Sequence, residues 1–309
     1  VGLWLYSFLE PIPMVIPSDE LKMPFYVLLS DLFSYKSITS IIFSFLLVIL
    51  QAFLLVQFNK KYILINYRTY LPAFFYILIA SSFVQLHRLN PVGIGIIFIF
   101  IAIDFIYGTY RSEYTLSRLY LAGFFVSIAS LFWAPFAALF LIIWISLTIL
   151  RPFVGREWVV SLLGFLTPYL FGFVYYFVFA DSQLNDFLNA FSQSFVFIKQ
   201  FHHLHYSYYI FYGFLLLVIL FASFNMIREF QTKKIKTRKF FEINWWLFML
   251  GILMFILLKN VKYEIVFLLG IPLSYLLSDY FYSIKRNWYL NSILIILIAS
   301  LVYIQIIAH

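Results

Sequence analysis

Cysteine is missing from all 309 residues, so disulfides, thiolate nucleophiles and cysteine-held metals are excluded together. Charge is scarce too: Asp, Glu, Lys and Arg supply 11% of the chain, where a soluble protein carries roughly a quarter. There is no Gly-rich phosphate loop, no Ser/His/Asp set, no acid pair at hydrolase spacing and no internal repeat. Soluble-enzyme chemistry therefore has no support, and no stretch is both long and polar enough to form a separate aqueous domain.

What the chain has instead is apolar surface, with 64% hydrophobic residues and a mean hydropathy of +0.96. Apolar runs of about 20 residues recur from end to end, the length that crosses a hydrocarbon core of about 30 Å. The reading is an all-α polytopic transmembrane helical bundle, a single membrane domain over 1–309 with about 11 spans. After a partial first span, the expected ones are Ile38 to Phe58, Tyr70 to Gln85, Pro91 to Tyr107, Leu119 to Leu150 as a hairpin, and Trp158 to Phe179. Ser207 to Ile227, Asn244 to Leu258, Ile265 to Phe281 and Tyr289 to Ala308 complete the set. Gly2 to Leu9 is apolar but too short to span and follows Val1 rather than Met, so the N-terminus is expected to be cut within its helix. The 40 Phe and 24 Tyr are spread over every segment, as lipid-facing surface requires, whereas a pocket concentrates its aromatics; no cofactor is expected.

The run Leu119 to Leu150 decides the topology. As one helix it would be about 48 Å long, too much for one pass, and Trp133 with Pro135 marks a turn. With a hairpin there, one side gathers Lys60, Lys61, Arg68, Arg111, Arg118, Arg151, Arg156, Arg228, Lys233, Lys234, Lys236, Arg238, Lys239, Lys285 and Arg286. These are most of the 21 basic residues, so that side is read as cytoplasmic and the C-terminus as external. The net charge of +8 then reports topology rather than nucleic-acid binding.

Three connections exceed turn length. Residues 10–37 form an external loop with Pro11, Pro13, Pro17, Asp19, Glu20 and Asp31, and Pro24 to Phe33 within it has the pattern of a surface helix. Residues 180–206 form a second external loop with helical periodicity through Phe187, Phe191 and Phe195. Residues 228–243 form a basic cytoplasmic loop suited to anionic headgroups.

Chemistry is expected on the external side, where His87, His202, His203 and His205 all fall in loops. Asp19 or Glu20 could act as a general base toward an acceptor hydroxyl, or be solvated loop acids. His202, His203 and His205 lack a metal-binding spacing, so with Lys199 they either contact a phosphate or sit solvated at headgroup level. His87-Arg88, ahead of Asn90-Pro91, is either a phosphate clamp or interfacial snorkelling. The string Arg151-Pro152-Phe153-Val154-Gly155-Arg156-Glu157-Trp158 is read as a structural cytoplasmic turn, its Arg and Glu pairing with each other.

That turn, with Asn90-Pro91, Ala122-Gly123-Phe124, Ile128-Ala129-Ser130-Leu131-Phe132, Gly164 and Pro168-Tyr169, resembles an uncharacterised family of polytopic inner-membrane proteins of Bacteroidota. The resemblance covers most of Tyr70 to Tyr169 and implies a bacterial inner membrane but brings no established activity; in that membrane the external C-terminus would be periplasmic and the partners membrane lipids. The layout is also similar to the GT-C superfamily, membrane glycosyltransferases that use polyprenyl-phosphate-linked sugars. Those enzymes place a catalytic acid in the first outer loop, followed by surface helices, and often a long outer loop after the seventh span. The resemblance implies Asp19 as base with Glu20 as alternate, and Arg88, His202, His203 and His205 holding the donor phosphate. Where many of that superfamily carry acids in the second outer loop, this chain reads His87-Arg88-Leu89-Asn90, so no metal is expected. The competing expectations are a non-catalytic scaffold or subunit of envelope biogenesis and a lipid carrier or flippase, the former on the poverty of polar groups within the spans.

Overall fold

The computed structural model describes residues 4, 7–8, 23–26, 38–65, 69–179, 181–197, 205–283 and 288–307, and no strand occurs among them. From Ile38 on, eleven α-helices follow one another among the described residues: α1 Ile38–Tyr62, α2 Leu71–Ala80, α3 Pro91–Gly108, α4 Thr115–Phe132, α5 Phe140–Leu150, α6 Gly155–Phe179, α7 Asp181–Gln193, α8 Tyr206–Glu229, α9 Ile235–Leu257, α10 Val266–Ser283 and α11 Trp288–Ile307. Eight helical stretches among the described residues are long and apolar enough to cross a membrane; Leu71–Ala80 and Ala134–Leu150 are shorter apolar ones. The chain is an all-helical membrane protein.

Side-chain bonds define two ends of the bundle. At one, the lysine-rich end, Lys61 of α1 pairs with Asp104 of α3 at 2.7 Å, and Lys233 pairs with Asp279 of α10 at 2.6 Å. Thr237 of α9 donates to the Ile63 carbonyl, and Lys239 lies 3.4 Å from the Leu150 carbonyl. Helix α1 stops there because Ile63 turns into the left-handed region (φ 54°), and the Asn59 side chain secures the turn by accepting from the Ile65 N–H at 2.8 Å. At the other, the His87 end, Ser40 and Ser44 of α1 bond the backbone of Leu89 and Leu86. Gln193, the last residue of α7, and Val196 beyond it are bonded there to Asn260 and Lys259.

The run from Thr115 to Leu150 reverses at Trp133. Pro135 starts a 3-10 turn, Ala134–Leu139, and α5 then comes back so that the Arg151 guanidinium donates to the Ser112 carbonyl at 3.0 Å, beside the start of α4. Helix α6 packs on α4 at backbone distance. A Cβ on Gly123 would overlap the Ser161 carbonyl, and one on Gly164 would overlap the Tyr120 carbonyl. Small residues let membrane helices approach this closely, where dispersion replaces the missing hydrophobic drive. Helix α10 is the most enclosed candidate span, 78% buried, and its Tyr275 hydroxyl donates to the Leu55 carbonyl of α1 at 2.9 Å.

Several expected boundaries move. Tyr70 to Gln85 is not one continuous helix: α2 ends at Ala80 and a 3-10 turn, Val84–His87, follows. The break has a local cause, because the Ser82 hydroxyl donates back to the Ile79 carbonyl at 2.6 Å and competes with helix propagation. The expected basic loop 228–243 is mostly helical, since α8 runs to Glu229 and α9 starts at Ile235. Lys, Arg and Glu are good helix formers whose heads snorkel, so a basic stretch need not be a loop. The expected external loop 180–206 contains α7, whose Phe187 and Ala190 pack with Met23, Leu131 and Ala134. Most of 10–37 lies outside the described residues, which hold only Met23 and the helical Pro24–Tyr26 from it.

The glycine contact yields a prediction. Gly164→Ala or Gly123→Ala should destabilise the detergent-purified protein by about 1–3 kcal/mol, because overlap with backbone cannot be relieved by a rotamer change. Gly172→Ala, on the same helix α6 with nothing within 4 Å of the added methyl, should leave thermal unfolding unchanged or raised.

Candidate functional site

The polar groups of the His87 end meet where α2 gives way to α3. The chain leaves α2 through Ser81 and Ser82, makes the turn Val84–His87, and enters α3 at Pro91 with Asn90 as N-cap. The Asn90 side chain accepts from the Gly93 N–H at 2.6 Å, the arrangement Asn followed by Pro favours at a helix start. Helix α1 holds the turn from the side. Ser44 donates to the Leu86 carbonyl at 3.2 Å, Ser40 accepts from the Leu89 N–H at 3.0 Å, and Gln51 donates to the Gly93 carbonyl at 2.6 Å. Tyr76 of α2 closes the set by donating to Gln51 Oε1 at 2.8 Å.

His87 was expected in an open loop; it is fully buried, at 0% exposure. Its Nε2 lies 3.3 Å from the Ser81 carbonyl, which can only accept, so that nitrogen carries the proton. Nδ1 lies 2.6 Å from the Ser7 hydroxyl, and Trp4 stacks on the ring at 4.0 Å. An imidazole with both nitrogens engaged locks the N-terminal segment to the turn. Trp4 Nε1 also donates to Ser81 Oγ at 2.9 Å, and Gln305 of α11 donates to the Ser81 carbonyl at 2.9 Å. Ser82 bonds the Tyr212 hydroxyl of α8 at 2.5 Å. Ser81-Ser82 is thus the point where the N-terminal segment, α2, α8 and α11 are tied. Arg88, next to His87, is 7% exposed and engaged.

Phe83 is the apolar centre of the same region. Its ring stacks on Tyr208 at 4.8 Å and Tyr212 at 5.2 Å, and lies 5.3 Å from Tyr263. Glu264 is 6% exposed in the 3-10 turn Tyr263–Ile265 that opens α10. One of its carboxylate oxygens, Oε2, has no hydrogen-bond partner, and neither have Gln85 Oε1 and Gln305 Oε1. Three acceptors without donors therefore border the Ser81–His87 segment.

The other expected site residues are not gathered here. Asp19, Glu20, Lys199, His202 and His203 lie outside the described residues. His205 is exposed at the N-cap of α8, with Nδ1 2.8 Å from the Ser207 hydroxyl, and no contact joins it to His87. In the turn Arg151 to Trp158, Arg151 Nε is 3.5 Å from Glu157 Oε1, Trp158 packs 5.2 Å from Trp144, and Pro152 and Arg156 are exposed. Among the described residues no group of His, Asp and Glu comes together as a metal cluster.

A family model described as a family of unknown function (DUF6427) matches residues 18–309. The chain belongs to that family. The match reaches well beyond the stretch Tyr70 to Tyr169 on which the sequence resemblance stands. No curated protein and no solved structure matches the chain.

In this DUF6427 member the hub residues Trp4, Ser7, Ser81, Ser82, Tyr212 and Gln305 escaped the sequence reading. The available signal was polarity in an apolar setting, as with Gln51 and Gln305 inside candidate spans, where an amide persists only with a partner. At the lysine-rich end Lys233 and Asp279 form a pair with both side chains only 9% exposed. Lys233→Met should therefore cost about 3–5 kcal/mol by stranding the Asp279 carboxylate. The double change with Asp279→Leu should recover most of that loss in the same thermal-unfolding measurement, since it removes the stranded charge.

Proposed function

We propose that the chain is a membrane protein of bacterial envelope glycan assembly, a GT-C-like transferase that takes sugar from a polyprenyl-phosphate carrier on the side faced by the His87 end. The observation that supports this reading is how the acid-bearing connection is held. Ahead of it Trp4, Ser7 and Phe8 pack on His87 and Phe45, and Arg88 follows His87 in sequence. The connection rejoins the bundle at Met23, three positions after Glu20, which is 1% exposed against α4 and the surface helix α7. In sequence Asp19 and Glu20 thus fall between two anchored segments, one on His87 next to the buried Arg88 and one against the amphipathic helix α7, and a base there could face a lipid-linked phosphate. On this reading the lysine-rich end faces the cytoplasm of an inner membrane and the C-terminus the periplasm.

A second reading, a non-catalytic subunit or scaffold, is favoured by how little of three candidate spans the bundle covers. Gly155–Val178 is 17% buried, Tyr206–Thr232 22% and Trp288–Ile307 28%, leaving long faces for partner helices or lipid.

Native mass spectrometry of the detergent-purified chain separates the two. The transferase reading expects a co-purifying polyprenyl phosphate, weakened in Arg88→Ala, and loss of sugar transfer without loss of thermal stability in Asp19→Asn. Bulk phospholipid alone in every variant would transfer the conclusion to the scaffold, and full activity of Asp19→Asn would remove that residue from the mechanism.

A further inference from the structure

Around the turn from α3 to α4, at the lysine-rich end, several cations cap helix carbonyls or hold acids. Arg118 donates to the Gly108 carbonyl and Arg151 to the Ser112 carbonyl, while Lys61 and Arg151 hold Asp104 and Glu157. Lys239 is held only loosely, 3.4 Å from the Leu150 carbonyl. Two neighbouring cations do neither. Lys236, half-buried near the start of α9, and Arg111, exposed in the turn itself, have side-chain heads that meet aromatic rings, and neither has a carboxylate partner among the described residues.

Those rings bring the heads together. Lys236 Nζ is 5.7 Å from the Tyr62 ring centre and 5.6 Å from that of Phe240. The Arg111 guanidinium is 5.5 Å, and Lys239 Nζ 5.9 Å, from the ring centre of Tyr110. Phe240 in turn lies 5.5 Å from Tyr62 and 6.0 Å from Tyr110, so three cations from two segments border one continuous aromatic row. Lys236, Lys239 and Phe240 are at positions i, i+3 and i+4 of α9, which share a helix face. Tyr62 and Phe240 are buried as its floor, whereas Arg111 is exposed and Lys236, Lys239 and Tyr110 are half-buried, so a ligand can reach the heads. Glu113, the acid of the same turn, is exposed and forms no ion pair among the described residues, which leaves the row cationic on balance.

Arg111 adds an independent sign of use. Its φ of 53° lies in the left-handed region, where Gly or Asn would close the turn with less strain. The guanidinium is what arginine contributes there, and strain of this kind gathers where a side chain has a task. Tyr114, just after the turn, and Phe153, just after Arg151, are 75% and 78% exposed, and exposed aromatics at the ends of spans sit at headgroup depth.

We propose that the row Tyr62, Phe240 and Tyr110 floors a binding site for a phosphomonoester, whose oxygens accept from Arg111, Lys236 and Lys239. A monoester carries about −1.5 to −2 charges at neutral pH and three terminal oxygens, against one charge and two such oxygens for a diester, so three cationic heads favour the monoester. Long, hydrated Lys and Arg arms close on such a head without backbone movement. The head could belong to a lipid or to a soluble molecule. The site is at the opposite end from His87 and does not rest on the glycosyl-transfer reading.

The test uses the full chain in detergent and native mass spectrometry with phosphatidic acid and phosphatidylglycerol of matched chain length. Wild type should retain phosphatidic acid about fivefold over phosphatidylglycerol, and Lys236→Gln and Arg111→Asn should each bring the two toward parity. Arg111→Asn separates binding from folding, because Asn tolerates the left-handed backbone and thermal stability should be held or raised. Equal retention of the two lipids by wild type, or an unchanged preference in either variant, overturns the proposal. Adding glycerol 3-phosphate then distinguishes the sources: displacement of phosphatidic acid supports a soluble monoester at the site, and retention against it supports a lipid.

Discussion

A helix that breaks inside a membrane protein exposes backbone N–H and C=O groups where no water competes for them. Between Ala80 and Pro91 this chain does so, and the arrangement of the His87 end follows from how those groups are met. Ser40, Ser44 and Gln51 of α1, Asn90 itself, Gln305 of α11 and the Ser82 hydroxyl all bond backbone in or next to the break. Ser44 is six residues into α1, about 9 Å along its axis, so the irregular backbone is enclosed by protein rather than facing lipid. His87 belongs to this system as a structural clamp. Its burial, its two ring-nitrogen contacts and its stacking with Trp4 are all explained by fastening the N-terminal segment.

The two ends of the bundle use polarity differently. At the lysine-rich end three cations are matched with acids: Lys61 with Asp104, Lys233 with Asp279, and Arg151 with Glu157 and the Ser112 carbonyl. At the His87 end the bonds are mostly between neutral groups, and the acid Glu264 is enclosed with one oxygen unmatched. Between them, cohesion rests on shape. The glycines of α4 and α6 put backbone against backbone, and α10 fills the centre with Tyr275 reaching across to α1.

Much of the fold was legible because helices leave strong periodic and capping signals. Asn90-Pro91 marks the start of α3, and Trp133 with Pro135 marks the reversal that returns Arg151 to Ser112. The illegible parts depend on contacts far apart in sequence. Nothing local distinguishes Glu264 as a buried acid from Glu264 as a loop acid, since its enclosure is made by other elements. His87 likewise reads as a loop residue until Ser7 and Trp4, about 80 positions away, are placed on it. The start of α9 was missed for another reason: its first turns carry Lys and Arg whose heads leave the membrane while the backbone stays helical. The candidate acids Asp19 and Glu20 stand on sequence and on their flanking anchors alone.

Helix α7 lies over the reversal of α4 and α5 on one side and is bonded to the connection between α9 and α10 on the other, through Asn260 to Gln193 and Lys259 to Val196. Glu264 follows Asn260 by four positions. Residues 193–196 and 259–260 thus form a joint that holds the surface helix and the turn of the enclosed carboxylate in one fixed relation, although some 70 positions of sequence lie between them.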